Sequence, residues 1–151
     1  MKFKKIITSF VLVIAMLMLA VQPAFAAEGE IWYFDQRYEA EYTVTNTNLT
    51  PYKVIDQSGV LCVYGHFWKA DSASYSNVRL TVEIRDYPSG RVLNKVSAEN
   101  RQYPYGDPFF IDAEVYAGQK IQLFFDVSSI NNPPGPYRKA LVSYEAYFVD
   151  Q

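Results

Sequence analysis

Residues 78–93 read VRLTVEIRDYPSGRVL, and they carry the clearest structural pattern in the chain. From Val78 to Ile84, apolar residues alternate strictly with polar ones, which is the period of a strand with one buried and one solvated face. Pro88 and Gly90 then suit a short loop in which Gly takes a left-handed conformation. Because a second apolar stretch follows at residues 91–96, the segment predicts an antiparallel β-hairpin.

Other parts of the chain carry strand patterns as well. Alternation predicts strands at residues 38–45, 109–115, 121–127 and 140–149. Residues 59–68 are apolar on both faces and predict a central strand covered on both sides. The polar residues 46–51 interrupt the pattern, and the turn Ala117-Gly118-Gln119 is interpreted as the loop of a second hairpin. The residues expected in the core are Leu80, Val82, Ile84, Leu123, Phe125, Val142 and Tyr144.

The spacing of these strands predicts an all-β protein. About seven to eight short strands with no helical period between them favour an antiparallel two-sheet β-sandwich, jelly-roll or immunoglobulin-like, with a closed barrel as the alternative. The segment Ile111–Val127 resembles the hairpin of jelly-roll and carbohydrate-binding-type sandwiches. This resemblance implies a fold and leaves the function open.

The N-terminal residues have the order of a secretory signal. Lysines at positions 2, 4 and 5 precede an apolar run at residues 6–21, a helix breaker at Pro23 and the small-residue site Ala24-Phe25-Ala26. The run is shorter than the roughly 20 residues of a membrane span. We therefore expect a signal peptide at 1–26 and one secreted extracellular domain at 27–151, without membrane attachment. The Lys-rich leader resembles export signals of Gram-positive bacteria, and the chain resembles their small secreted β-sandwich proteins.

Charge and cysteine content limit the possible functions. Residues 27–151 hold 11 basic and 16 acidic residues, a formal charge of −5, whereas nucleic-acid binding needs clustered Lys and Arg. We expect no nucleic-acid partner. Cys62 is the only cysteine, so the domain has no intramolecular disulfide and its stability comes from packing.

No catalytic group of residues stands out, so we expect a non-enzyme. His66 is the only histidine, and it lies four residues from Cys62 on the same strand face. At about 3.3 Å per residue their Cα atoms are roughly 13 Å apart, too far for a nucleophile and its base. A pair of carboxylates could serve a small hydrolase, which remains the third alternative for the function.

A calcium site is the only cofactor that the sequence suggests. Asp107, Asp112 and Glu114 gather before and on one predicted strand, with Asp112 and Glu114 on the same side. Ca²⁺ takes six to eight oxygen ligands, and no calcium-binding loop motif accompanies these three carboxylates. The default prediction is therefore that the protein uses no cofactor.

Aromatic residues outside the predicted strands, either just after the expected cleavage site or beside Pro and Gly, are the candidate ligand contacts. A rigid aromatic ring outside a strand can stack on a sugar ring or pack against a protein, although it can also fold back to cover the core. The candidates are Trp32, Tyr33, Tyr103, Tyr105 and Tyr137.

These loops predict a secreted, non-catalytic binding domain at or near the cell envelope. Its partner would be an envelope polysaccharide or an extracellular protein. The alternative is an interaction protein such as an inhibitor, toxin-like effector or matrix component. A linear strip of exposed aromatics suits a glycan chain, whereas a compact patch with a polar rim suits a protein.

Overall fold

The computed structural model describes residues 29–69, 78–100, 106–130 and 139–150. These ranges contain ten strands and no helix. The strands are β1 (Glu30–Trp32), β2 (Tyr38–Thr45), β3 (Thr47–Leu49), β4 (Lys53–Ile55), β5 (Gly59–Lys69), β6 (Val78–Asp86), β7 (Val92–Asn100), β8 (Asp107–Val115), β9 (Lys120–Ser129) and β10 (Lys139–Val149). Within the same ranges, no helix has the length and hydropathy needed to cross a bilayer.

The strands form two sheets around one core, which confirms the predicted β-sandwich. The six-stranded sheet has the order β1-β4-β9-β6-β7, with β3 also beside β9, and the four-stranded sheet has the order β2-β10-β5-β8. Every pairing is antiparallel except that of β1 with β4. The count exceeds the predicted seven to eight because β1, β3 and β4 are only three residues long.

Alternate residues of both sheets fill the space between them. On β6, Val78, Leu80, Val82 and Ile84 are buried, as the two-residue period predicts. All seven residues expected in the core are buried: Leu80, Val82, Ile84, Leu123, Phe125, Val142 and Tyr144.

The hairpin predicted from residues 78–96 is present. β6 and β7 pair antiparallel, with a register shift between Ile84 and Arg85. Gly90 has a φ of 72°, the left-handed conformation that its position requires. Its N–H donates a hydrogen bond of 2.8 Å to the carbonyl oxygen of Asp86, which closes the loop.

The second predicted hairpin is wrong, because β8 and β9 belong to different sheets. β8 pairs with β5, whereas β9 pairs with β6, β3 and β4. The turn Ala117-Gly118-Gln119 therefore carries the chain from one sheet to the other. It is held by β4, since the N–H of Gly118 donates to the carbonyl of Ile55 over 2.7 Å, and Ile55 N–H donates to Gln119 over 2.9 Å. A strand, a turn and a strand look the same in sequence whether they pair or cross between sheets.

A second crossing follows β2. Asn46 has a φ of 59°, and this left-handed residue redirects the chain from the four-stranded sheet into β3 of the six-stranded sheet. Its carbonyl accepts a hydrogen bond of 2.7 Å from Val127 N–H on β9. The polar segment 46–51 is thus a short strand in part, which its composition conceals.

β5 is central in its sheet, between β10 and β8, as predicted. The prediction that both its faces are covered is wrong. The side chain of Tyr64, on the outer face, is 40% exposed. Both faces are apolar in sequence for different reasons, since one packs in the core and the other carries the exposed ring of Tyr64 and the half-buried rings of His66 and Trp68.

Candidate functional site

The two sheets have chemically different outer faces. On the six-stranded sheet, Arg79 pairs with Glu99 at 2.6 Å. Glu83 pairs with Arg85 at 2.6 Å and with Lys95 at 3.1 Å. This outer face therefore carries several ion pairs. The outer face of the four-stranded sheet instead carries aromatic rings.

Four residues form what we call the aromatic strip: Tyr64, His66 and Trp68 of β5, and Phe110 of β8. They point outward because the intervening residues of β5, such as Val63 and Phe67, point into the core. Within the described ranges the strands form only the two sheets, so no third layer of strands lies over this face.

The rings of the strip follow one another along β5. The ring centroids of Tyr64 and His66 are 5.1 Å apart with an interplanar angle of 85°, and those of His66 and Trp68 are 6.2 Å apart at 34°. Phe110 lies directly opposite Tyr64 in the strand register and is 48% exposed. The rings of β5 therefore form a line that starts at Tyr64, and the ring of Phe110 lies beside Tyr64.

The backbone at Gly106 lies directly against the ring of Trp68. A Cβ atom placed on Gly106 would lie 2.6 Å from an indole carbon of Trp68, closer than real Cβ atoms come. Gly106 therefore lets the chain before β8 pass against the indole, and a larger residue at this position would push the ring aside.

A depression of about 270 Å³ crosses the sheet beside the strip. Tyr64 of β5 is in register with Glu145 of β10, which is in register with Glu39 of β2, so that one ring and two carboxylates form a row. Arg37 pairs with Glu145 at 2.5 Å. The lining residues are Glu39, Tyr64, Gly65, His66, Ser143, Tyr144 and Glu145.

This arrangement suits a ligand that has both apolar faces and hydroxyl groups. Aromatic rings offer large contact surfaces with little loss of side-chain entropy. Carboxylate oxygens accept hydrogen bonds from hydroxyls, and the Ser143 hydroxyl can donate or accept. A sugar ring has this combination of groups, with C–H faces and hydroxyl edges.

The structure gives no support to a Cys62–His66 pair. Nε2 of His66 shares a hydrogen bond of 3.0 Å with the Tyr64 hydroxyl. Cys62 is only 6% exposed. Burial and the nearby Asp112 carboxylate raise the pKa of its thiol, so the reactive thiolate is disfavoured.

The predicted contact residues differ in their exposure to solvent. Trp32 does not offer an exposed ring face, because it is 2% exposed and stacks on Tyr38 with ring centroids 4.8 Å apart. Tyr33 is 45% exposed. Tyr103, Tyr105 and Tyr137 lie outside the described residues and stay predictions.

The members of the strip were missed as contacts in the sequence. The sequence did contain a signal for them. Residues 59–68 are apolar on both faces, and apolar residues on the outer face of a strand indicate either a covering layer or a contact surface. The prediction of a covering layer on that side is what concealed them.

The calcium hypothesis finds no site among the described residues, which contain no group of three or more His, Cys, Asp or Glu side chains placed to hold a metal ion. Asp107 and Asp112 lie at opposite parts of β8, roughly 17 Å apart at about 3.3 Å per residue. Asn94 Nδ2 donates to the backbone carbonyl of Asp112 over 2.7 Å and to its carboxylate over 3.4 Å.

No protein-family model and no curated protein sequence matches the chain. Among solved structures, it is similar to the mosquito-larvicidal Cry4Aa toxin from Bacillus thuringiensis, with a TM-score of 0.52 and 9% identity over 82% of this chain and 25% of the toxin. It is also similar to tripeptidyl peptidase 2, with a TM-score of 0.50 and 8% identity over 81% of this chain and 11% of that one.

The chain thus spans a quarter or less of these two proteins, and the likeness shows the fold alone. The C-terminal CBM6 of the laminarinase LamC from Zobellia galactanivorans aligns over 74% of this chain and 99% of its own, at 12% identity and a TM-score of 0.44. That similarity is too low to support a functional argument.

Proposed function

We propose that this protein is a secreted, non-catalytic domain that binds a polysaccharide, such as one of the cell envelope, through the aromatic strip. The observation that carries the proposal is the line of Tyr64, His66 and Trp68 along one strand on the outer face of the four-stranded sheet, with Phe110 alongside. A chain of sugar rings can contact successive rings of such a line. Glu39 and Glu145 beside it can accept hydrogen bonds from sugar hydroxyls.

A protein partner is the second candidate, and Phe110 favours it. Its ring has no hydrogen-bonding group and is 48% exposed, which is typical of a residue that anchors a protein contact. The linear order of the strip and the carboxylates beside it favour the glycan.

The proposal is tested by binding of residues 27–151 to insoluble peptidoglycan, cellulose and chitin. Tyr64→Ala and Phe110→Ala should each weaken binding by about 1–3 kcal/mol, the usual effect of truncating a stacked or interface aromatic. Tyr116→Ala is the matched control, because Tyr116 is 62% exposed but lies beside the turn at Ala117, off the strip. Its binding should equal that of the wild type.

Two results would count against the proposal. One is wild-type binding by strip variants whose circular dichroism is native. The other is the absence of binding to all three polysaccharides, together with capture of a protein that Phe110→Ala abolishes, which would favour the protein partner.

We also propose export with cleavage after Ala26. The basic, apolar and small-residue segments of residues 1–26 support it. Mass spectrometry of secreted protein from a Gram-positive host should find Ala27 as the first residue. A protein that stays in the cell and keeps Met1 would contradict it.

A further inference from the structure

A second cavity lies at one open side of the sandwich, where β1 and β4 of the six-stranded sheet face β2. Its volume is about 190 Å³. This is below the roughly 300–1,000 Å³ of pockets for drug-sized ligands, so it suits one ring better than a chain. Its walls include the rings of Trp32, Tyr38, Tyr42 and Tyr144 and the charged groups of Glu30 and Lys53.

Trp32 has an unsatisfied polar group. Its side chain lines the cavity and is 2% exposed, and its indole Nε1 is buried without a hydrogen-bond partner among the described residues. Buried N–H groups almost always have an acceptor, because leaving one unpaired costs free energy. Among the described residues this donor has no acceptor, and an oxygen atom of a bound ligand would supply one.

The charges around the cavity limit what it can bind. The Lys53 ammonium lies 5.6 Å from the centroid of the Trp32 ring and pairs with Glu30, so the position for a cation over this indole is already filled. Glu39 places a second carboxylate in the lining, which disfavours an anion. The cavity therefore favours neither a cation nor an anion, and an uncharged ligand with hydroxyl groups suits it better.

The cavity adjoins the depression that lies beside the aromatic strip. Glu39 and Tyr144 line both the cavity and the depression that crosses the sheet from Tyr64. A ligand that crosses β10 beside Tyr64 therefore arrives at the cavity when it passes the edge strand β2.

We propose that this cavity binds a single sugar ring, the terminal unit of the glycan that lies on the strip. The inference rests on the proposed function and adds that the protein recognises the end of the chain. A ring oxygen or hydroxyl accepts from the Trp32 indole N–H, other hydroxyls donate to Glu30 and Glu39, and the C–H faces pack against Tyr38 and Tyr42.

The two tryptophans of the chain allow each site to be observed separately. Trp32 lines the cavity and Trp68 belongs to the strip, so their indole resonances in a ¹H–¹⁵N spectrum report on one site each. Residues 27–151 are titrated with glucose and N-acetylglucosamine, and with the β-1,4-linked tetramers of each. The monosaccharide should shift the Trp32 resonance alone, whereas the tetramer should shift both.

Trp32→Phe keeps an aromatic ring, removes the N–H and assigns the resonance. It should weaken monosaccharide binding about tenfold, the loss of one buried hydrogen bond, while the tetramer still shifts Trp68. Glu30→Gln changes an exposed carboxylate and serves if Trp32→Phe does not fold. It should weaken monosaccharide binding severalfold, and Tyr116→Ala should leave it unchanged.

The outcomes separate this inference from the proposed function. Tetramers that shift only Trp68, or a monosaccharide affinity equal in Trp32→Phe and the wild type, would overturn terminal-ring binding and leave the strip intact. If none of the four sugars shifts either resonance, both proposals are overturned.

Discussion

Tyr64 and His66 share a hydrogen bond of 3.0 Å between the phenol oxygen and Nε2, and their rings stand at 85° to each other. Residues two apart in a strand lie on the same face, so the bond forms without any change in the backbone. It fixes the edge of one ring against the other and holds the start of the aromatic strip in one arrangement.

Tyr64→Phe should weaken polysaccharide binding less than Tyr64→Ala. The substitution keeps the ring and removes the bond to His66, whose net value is about 0.5–1.5 kcal/mol. Isothermal titration with a soluble tetrasaccharide measures the difference. Equal losses for the two variants would mean that the hydroxyl, and not the ring face, makes the contact.

Cys62 should resist thiol reagents in the folded protein. It is buried, and burial together with Asp112 raises its pKa. Reaction with a chromogenic disulfide should be at least about tenfold slower in buffer than in guanidinium chloride, because the thiolate is the reactive form. Since the chain has one cysteine, the signal needs no assignment. Fast labelling of protein with native circular dichroism would contradict the buried position.

Glu83→Gln should lower the free energy of unfolding by about 1–2 kcal/mol at neutral pH. Burial alone would raise the pKa of Glu83, but hydrogen bonds from Arg85 and Lys95 outweigh it and the pKa lies below its usual value. The stabilisation is therefore complete above the unfolded pKa, about 4.3, and is lost as the pH falls through the lower folded pKa. Urea melts at several pH values should show the two proteins converging in acid.

Glu114→Gln provides the comparison for Glu83, because Glu114 is an exposed glutamate on the outer face of β8. Its effect should stay within about 0.5 kcal/mol at any pH. If Glu83→Gln behaves like Glu114→Gln, the ion pairs of Glu83 with Arg85 and Lys95 do not stabilise the fold.

Asn46→Val should destabilise the protein by about 1–2 kcal/mol, because a left-handed conformation brings Cβ too close to the following carbonyl oxygen. Asn46 has a φ of 59° where the chain leaves one sheet for the other. Asn46→Gly, which accepts this conformation freely, should melt close to the wild type. A valine variant as stable as the glycine variant would mean that the crossing tolerates another backbone path.

The sequence predicted strands well where burial alternates. Along β6 and β10 every second side chain enters the core, so the two-residue period is complete and the assigned residues are correct. Which strands pair with each other was harder to predict from the sequence. Nothing in residues 109–127 distinguishes a hairpin from a crossing, because the choice depends on Ile55 and on other strands that lie far away in the chain.

The candidate site was harder to predict for a related reason. Alternation reports which residues share a face, but it does not report whether another layer covers that face. Tyr64 and Trp68 have the same pattern in sequence as buried rings, whereas Trp32, just after the predicted cleavage site, has the pattern of a contact residue and is buried.

The order of strands also governs how this sheet forms. Only β6 and β7 pair as neighbours along the chain within the described ranges, and β10 lies between β2 and β5. Val142 faces Tyr42 on one side and Phe67 on the other, so both contacts close very long loops. Such non-local pairing slows folding to the millisecond-to-second range. Until β10 is in place, β2 and β5 each have an open edge and can pair wrongly with another chain. The strand that bears most of the aromatic strip therefore takes one of its two partners from far along the chain, and the face that carries the strip is complete only when this distant pairing has formed.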